Sequence, residues 1–288
     1  MAAGVQHSIG QTKNNLQALK SHIIDELNGQ SGTFAVAYFN LKNGDSFTIN
    51  GDTVFHAAST MKTPVMIEVF KQADKGKFNL TDSLLIKNEF KSIVDGSLYS
   101  LDSLNDSESE IYRCIGQKRS IYDLMYQMII NSSNLSTNII VDLVGAKNIM
   151  KTMRQLGAKN IRVLRGVEDQ KAFDAGMNNV TTAKDLMILF KAIGEKKVVS
   201  PSACDSMIKI LKDQKHNKVI PALLPNDVEV AHKTGSITGV QHDSGIVFLP
   251  DGKKYVLVIL SKNLSDPDSA VKSMAKVSGM IYDYTSAD

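Results

Sequence analysis

Two side chains three residues apart open the case for chemistry: Ser59 and Lys62, in Phe55-His56-Ala57-Ala58-Ser59-Thr60-Met61-Lys62-Thr63-Pro64-Val65-Met66. A serine hydroxyl is a weak nucleophile until a neighbour takes its proton, and a lysine does so only when burial or nearby cations lower its pKa. If a helix begins near Ser59, positions i and i+3 share one face and the amine comes within reach of the hydroxyl. The helix N-terminus would favour negative charge developing there. Spacing alone decides nothing, because Ser-x-x-Lys recurs at Ser206/Lys209, Ser269/Lys272 and Ser273/Lys276. The first copy differs in its setting: Ala57 and Ala58 leave room for close approach, and Val65, Met66, Val69 and Phe70 would bury the helix behind it.

Two further stretches could serve Ser59. Asn131-Ser132-Ser133-Asn134-Leu135-Ser136-Thr137-Asn138 places hydroxyls and amides between two apolar segments, where they could relay a proton and bind an amide; alone, it reads as helix capping. His232-Lys233-Thr234-Gly235-Ser236 ends a strand-like run, offering positive potential and a glycine against which a substrate could lie; alone, it reads as a strand end with a solvated lysine.

The elements that must position these residues follow from periodicity. Leu16, Leu19, Ile23, Ile24 and Leu27 predict an amphipathic helix over about residues 9 to 28, stopped by Asn28-Gly29. Thr33 to Asn40 and Ser46 to Asn50 read as strands about an Asn43-Gly44 turn. At the other end, Val228 to Thr234, Gly239 to Leu249 and Tyr255 to Ser261 are strand-like, followed by a helix over Pro267 to Tyr284. Between them the period is helical, at 121–130, 135–144, 146–156, 183–193 and 202–211. The expected architecture is α/β of the α+β kind: one antiparallel sheet from residues 1–58 and 225–288 with flanking terminal helices, and an all-helical domain at 59–224. The active-site cleft is expected between the two parts.

Composition narrows the class of function. A chain of 288 residues, 43% hydrophobic and 22% charged, is an ordinary globular one. A net charge of +3 without long basic runs does not argue for nucleic acid, and six histidines without His-Glu-x-x-His or Cys-x-x-Cys patterns give no metal site. No run is long enough for a membrane span, and the first residues lack the charged start and apolar core of a signal peptide. Pairing of Cys114 with Cys204 cannot be read from their positions.

Taken in order, Ser-x-x-Lys, Ser-x-Asn and Lys-Thr-Gly are the motif set of serine penicillin-recognising enzymes. With them the chain resembles the class A β-lactamases and low-molecular-weight penicillin-binding proteins over nearly its whole length. The resemblance implies that Ser59 is acylated, that Lys62 accepts or organises its proton, and that Ser132 carries a proton to the departing nitrogen. It implies that Asn134 binds the substrate amide, and that Lys233, Thr234 and Ser236 hold the substrate carboxylate. Backbone N–H groups of Ser59 and of Ile237 or Ser236, after Gly235, would form the oxyanion hole. The implied substrate is a small β-lactam or a D-alanyl-D-alanine peptide; no cofactor is implied, the protein is expected to act as a monomer, and its place is the periplasm or cell exterior.

The chain departs from the family at two places. Ser133 stands where Ser-Asp-Asn is commoner. In class A enzymes the loop after the arginine carries a glutamate two residues on and an asparagine four residues later, which together position the deacylating water. Here Arg165-Gly166-Val167-Glu168 puts Val167 second and Glu168 third, and Ala172 replaces the asparagine. The closing aspartate that usually pairs with the arginine is Val180. Either Glu168 is the deacylating base in a rebuilt loop, or Glu168 and Asp169 are surface acids replacing the lost pairing. The resemblance therefore supports a divergent class A-type β-lactamase, with a penicillin-sensitive D,D-peptidase or a non-turnover β-lactam sensor as alternatives.

Overall fold

The computed structural model describes residues 3–287. Helix α1 (Ala3–Asn28) leads into β1 (Thr33–Asn40) and β2 (Ser46–Ile49). The turn between the strands is the expected one: Gly44 takes φ 84°, where a side chain would be strained, and Asn40 Oδ1 accepts the Lys42 N–H at 2.8 Å. After β3 (Phe55–His56), a 3-10 turn at Ala58–Met61 runs into α2 (Lys62–Asp74). The middle of the chain contributes β4 (Ser83–Leu85), β5 (Phe90–Lys91), β6 (Leu98–Tyr99) and β7 (Lys118–Ser120), then helices α3 (Ile121–Ile130), α4 (Asn134–Val144), α5 (Ala146–Gln155) and α6 (Gln170–Asp174). It continues with β8 (Val180–Thr181), α7 (Ala183–Gly194) and α8 (Pro201–Lys212). Three long strands, β9 (Glu229–Ile237), β10 (Val240–Phe248) and β11 (Lys254–Lys262), precede the closing helix α9 (Pro267–Ala287).

The chain ends do meet in one antiparallel sheet, in the order β2-β1-β11-β10-β9. Its register joins Ala37 to Val258 and Thr234 to Asp243. Alternation along β1 sends Phe34, Val36 and Tyr38 to one face, where they pack with Leu19, Ile23 and Leu27 of α1 and Met274, Val277 and Ile281 of α9. Ala35 and Ala37 face the other way, toward Leu186, Leu189 and Phe190 of α7 and the remaining helices. That second core runs without a break from Val256 and Leu260 on the sheet to Met128 and Ile140 in the helical region.

The expectation that residues 59–224 are all-helical needs correction. Pairings β4–β7, β5–β6 and β3–β8 lie in or reach into this span. Each strand is two or three residues long, too short to leave a period of two in the sequence. The β3–β8 pair has a consequence for the site, because it ties the segment entering Ser59 to the segment leaving the Arg165 loop.

Candidate active site

Ser59 lies in the 3-10 turn rather than inside a regular helix, and Ala58 before it takes φ 44°. Such a conformation costs an alanine free energy and persists only where the surroundings enforce it. Edge strand β9 supplies part of that enforcement. A Cβ on Gly235 would stand 3.1 Å from the backbone nitrogens of Ser59 and Thr60 and 3.2 Å from the Ala58 side chain, so a glycine here lets β9 lie against the turn. The sequence places His232 to Ser236 at a strand end; they lie within β9, which continues through Ile237.

Lys62, the first residue of α2, is completely buried. Its Nζ donates to Ser132 O at 2.6 Å, to Asn134 Oδ1 at 2.9 Å and to Ser132 Oγ at 3.2 Å. Desolvation is the main reason its pKa falls to about 7, opposed by the negative charges of Asp106 and Glu168. The amine is thus held on the Ser132 turn, and among the described hydrogen bonds none joins it to Ser59. Lys233 is buried as deeply and donates to Ser132 Oγ at 3.0 Å and to Thr234 O at 3.0 Å. Its pKa is driven well below the usual lysine value, first by burial and then by Lys62. Ser132, at φ 59°, therefore receives two buried amines on one hydroxyl.

Two cavities meet at Ser59. One, of about 360 Å³, is bordered by Ser132, Thr234, Gly235 and Ser236 together with Lys215, His216 and Lys218. Its basic side chains make it suited to an anionic group. The other, of about 650 Å³, is bordered by Asn134, Val167, Glu168, Phe173 and Ile237. Every site residue named from the sequence, apart from the two buried lysines, lines one or both. The lysines reach the same place through Ser132.

The Arg165 loop is rebuilt. Arg165 is buried, yet it forms no ion pair among the described residues; it donates to Met177 O at 3.2 Å, Gly166 O at 3.2 Å and Asn178 Oδ1 at 3.4 Å. Asn179 adds a second amide clamp, accepting from Leu164 N at 2.8 Å and donating to Arg165 O at 3.0 Å. Asp169 is no surface acid: it is buried, accepts from Ser92 Oγ at 2.9 Å and Ile93 N at 3.0 Å, and caps α6 through Ala172 N. Among the described residues neither Glu168 nor Asp169 forms an ion pair with Arg165, and Asp169 acts on it only as a nearby charge, second to burial.

Val167 occupies the second place after the arginine, and its backbone is gripped by Asn138, whose Oδ1 accepts Val167 N at 2.6 Å while Nδ2 donates to Val167 O at 3.0 Å. Gly166 makes this possible, since a Cβ there would fall 2.1 Å from Asn138 Oδ1. Glu168 follows at φ 61° and turns its carboxylate into the cleft, where Oε1 accepts from Asn134 Nδ2 at 2.7 Å. Burial raises its pKa, while the Asn134 hydrogen bond and Lys62 oppose the shift. Asn134 thus bridges Lys62 and Glu168 with the two ends of one amide.

Sequence reasoning missed Asn138, Gly166, the basic wall at 215–218 and Asp106, which holds the Ser132 turn from outside. The helical spacing of Asn134 and Asn138 and the glycine directly after Arg165 were signals available for the first two. Asp243 pairs with His232 at 2.8 Å, whereas His242 contacts His56 O at 2.8 Å and burial lowers its pKa to about 4. Tyr99 donates to Val167 O at 3.3 Å. Cys114 and Cys204 are free thiols.

Comparison with known proteins gives the family and the fold. A family model described as "Beta-lactamase enzyme family" matches residues 17–285. A β-lactamase of Bacteroides uniformis is 25% identical, the match covering 93% of this chain and 91% of the relative. The solved structure of PBP-A is 28% identical, covers 94% of this chain and 97% of its own, and superposes with a TM-score of 0.80. A single-substitution variant of PBP-A has been solved as an acyl-enzyme complex with penicillin G. The TLA-1 extended-spectrum β-lactamase superposes with a TM-score of 0.82 at 24% identity, over 93% of this chain and 98% of its own, a likeness of fold.

Proposed function

The chain belongs to the β-lactamase enzyme family, and on that premise we propose a class A-type serine β-lactamase in which Ser59 forms the acyl-enzyme and Glu168 serves its hydrolysis. The observation that carries this reading is the single polar network from Lys62 through Ser132 to Lys233, with Asn134 linking Lys62 to Glu168. A lysine whose pKa lies near 7 is partly neutral at physiological pH and is able to take the Ser59 proton. In this mechanism the Ser59 oxygen attacks the lactam carbonyl, and the oxyanion is received by the backbone N–H groups of Ser59 and Ile237. Ser132, fed by the two lysines, delivers a proton to the departing nitrogen. Lys233, Thr234 and Ser236 receive the substrate carboxylate at the basic end of the cleft, and Asn134 binds the acyl amide. Water attacks the ester with Glu168 as base, releasing Ser59. The protein acts as a monomer in the periplasm or outside the cell, where β-lactams are met. No helix among the described residues is long and apolar enough to cross a membrane.

Val167 favours a second reading. A valine held by Asn138 at the place where class A enzymes carry glutamate suits slow deacylation, and with it a penicillin-sensitive D,D-peptidase. Intact-protein mass spectrometry during exposure to benzylpenicillin, with ring opening followed optically, separates the two. The β-lactamase reading expects many turnovers, a transient adduct lost in Ser59→Ala, and a long-lived adduct in Glu168→Gln. A stable adduct in the unmodified protein, with cleavage of a D-alanyl-D-alanine peptide, selects the peptidase. No adduct on Ser59 at all removes both.

A further inference from the structure

The Ser132 turn works as a junction for two lysines and a glutamate, yet residues 131–138 contain no acidic side chain. Such a turn has two structural needs. Backbone N–H groups at the start of α4 must be satisfied, and Asn134 must be held so that its amide meets both Lys62 and Glu168. Ser133 meets part of the first need by accepting the Ser136 N–H at 3.2 Å.

The rest comes from Asp106, 28 residues upstream, whose side chain is 9% exposed. Its carboxylate accepts Asn134 N at 3.0 Å and 2.9 Å, one distance to each oxygen, and Leu135 N at 2.9 Å. Tyr112 Oη donates to it at 3.0 Å and Glu108 N at 3.1 Å. Its chain neighbours Asn105 and Ser107 border the larger and smaller cavities respectively. Asp106 touches no reacting atom, yet the backbone it grips belongs to the very residue whose side-chain amide holds Lys62.

We propose that Asp106 is the positioning residue of the Ser132 turn, supplying from the neighbouring loop the carboxylate that the turn lacks and thereby fixing Asn134 against Lys62 and Glu168. Its charge also acts on Lys62, alongside that of Glu168 from the Arg165 loop, while Lys62 in turn acts on Lys233 of β9 and on His216 at the cavity wall. Asp106 and Glu168 both favour the protonated amine, against the burial that lowers its pKa. Removing the Asp106 charge must therefore move the Lys62 titration to lower pH.

The test reads two signals. The first is the Lys62 midpoint in 13C-lysine-labelled protein, followed by NMR and assigned through its loss in Lys62→Met; this needs no substrate. The second is the second-order rate of Ser59 acylation by benzylpenicillin, which rests on the function proposed above. In Asp106→Asn the midpoint is expected to fall by about 0.5 pH unit or more, and acylation to slow by about tenfold or more through misplacement of Asn134. Adding Ser133→Asp, a competent helix cap that returns a carboxylate to the turn, is expected to restore both. An unchanged midpoint in folded Asp106→Asn overturns the proposal, as does a folded double variant without recovery. If Asp106→Asn does not fold, the double variant is read in its place, and its failure to fold as well makes Asp106 a stability residue only. If the unmodified protein forms no adduct, the acylation reading falls while the NMR titration still decides the role of Asp106.

Discussion

In the mechanism proposed above Lys62 and Glu168 carry opposite requirements, and burial pushes each toward its neutral form. Lys62 must be neutral to accept a proton, and its pKa near 7 gives acylation an acid limb there. Acylation should rise as pH passes upward through about 7 and then level off, seen by stopped-flow with a chromogenic β-lactam. An unperturbed lysine would hold that limb near 10.5. Glu168 must be ionised to act as base, and its pKa is raised above the ordinary 4.5. Deacylation should therefore fail on acidification at a higher pH than a solvated carboxylate would allow, and a single-turnover decay profile with its midpoint at or below 4.5 would contradict this. The residue identities at 59, 62 and 168 are legible in the sequence. Their protonation states depend on burial.

At the scale of elements, three non-glycine residues in the left-handed region, Ala58, Ser132 and Glu168, sit at the three segments that converge on the cleft. Each is held by a neighbour from another element: β9 against the 3-10 turn, Asp106 against the start of α4, and Asn138 of α4 against the Arg165 loop. Gly166→Ala tests the last of these. Its Cβ would collide with Asn138 Oδ1, and Asn138 is buried and already bonded on both ends, so the clamp has to open. Losing these hydrogen bonds is expected to cost about 1–3 kcal/mol of stability by denaturant titration, and to slow deacylation by about tenfold or more while acylation changes little. Equal loss of both steps would place the effect elsewhere. The loop itself was only half legible. Its missing ion pair could be read from Val180, but the Asn178 amide that meets the guanidinium and the Asn179 amide that clamps the loop backbone become partners only when the loop closes.

For the whole molecule, the division into a sheet part and a helical part describes the path of the chain better than its packing. Ala35, Val258 and Leu260 on the sheet share one core with Leu124, Met128 and Ile140 of the helical region. Parts that share a core lose each other's buried surface when either opens, so unfolding should be cooperative. Differential scanning calorimetry should give one transition with calorimetric and van't Hoff enthalpies in agreement; two resolved transitions would restore the two-domain description. The cleft then lies along a seam of one folding unit, which fits a site assembled from the edge of β9, the start of α2 and the start of α4.

The sequence by itself determined the long elements, the order in which strands and helices follow one another, and the three motifs whose residue types permit serine acylation. These survive in one dimension because apolar period, turn residues and short motifs are local. The tertiary structure alone decided that Lys62 rests on the Ser132 turn, that Glu168 points into the cleft while Asp169 is buried under the 92–97 segment, and that Asp106 holds Asn134 across 28 residues of chain. Those are contacts between distant segments, and hydrogen bonds of that kind leave no period or spacing in the chain.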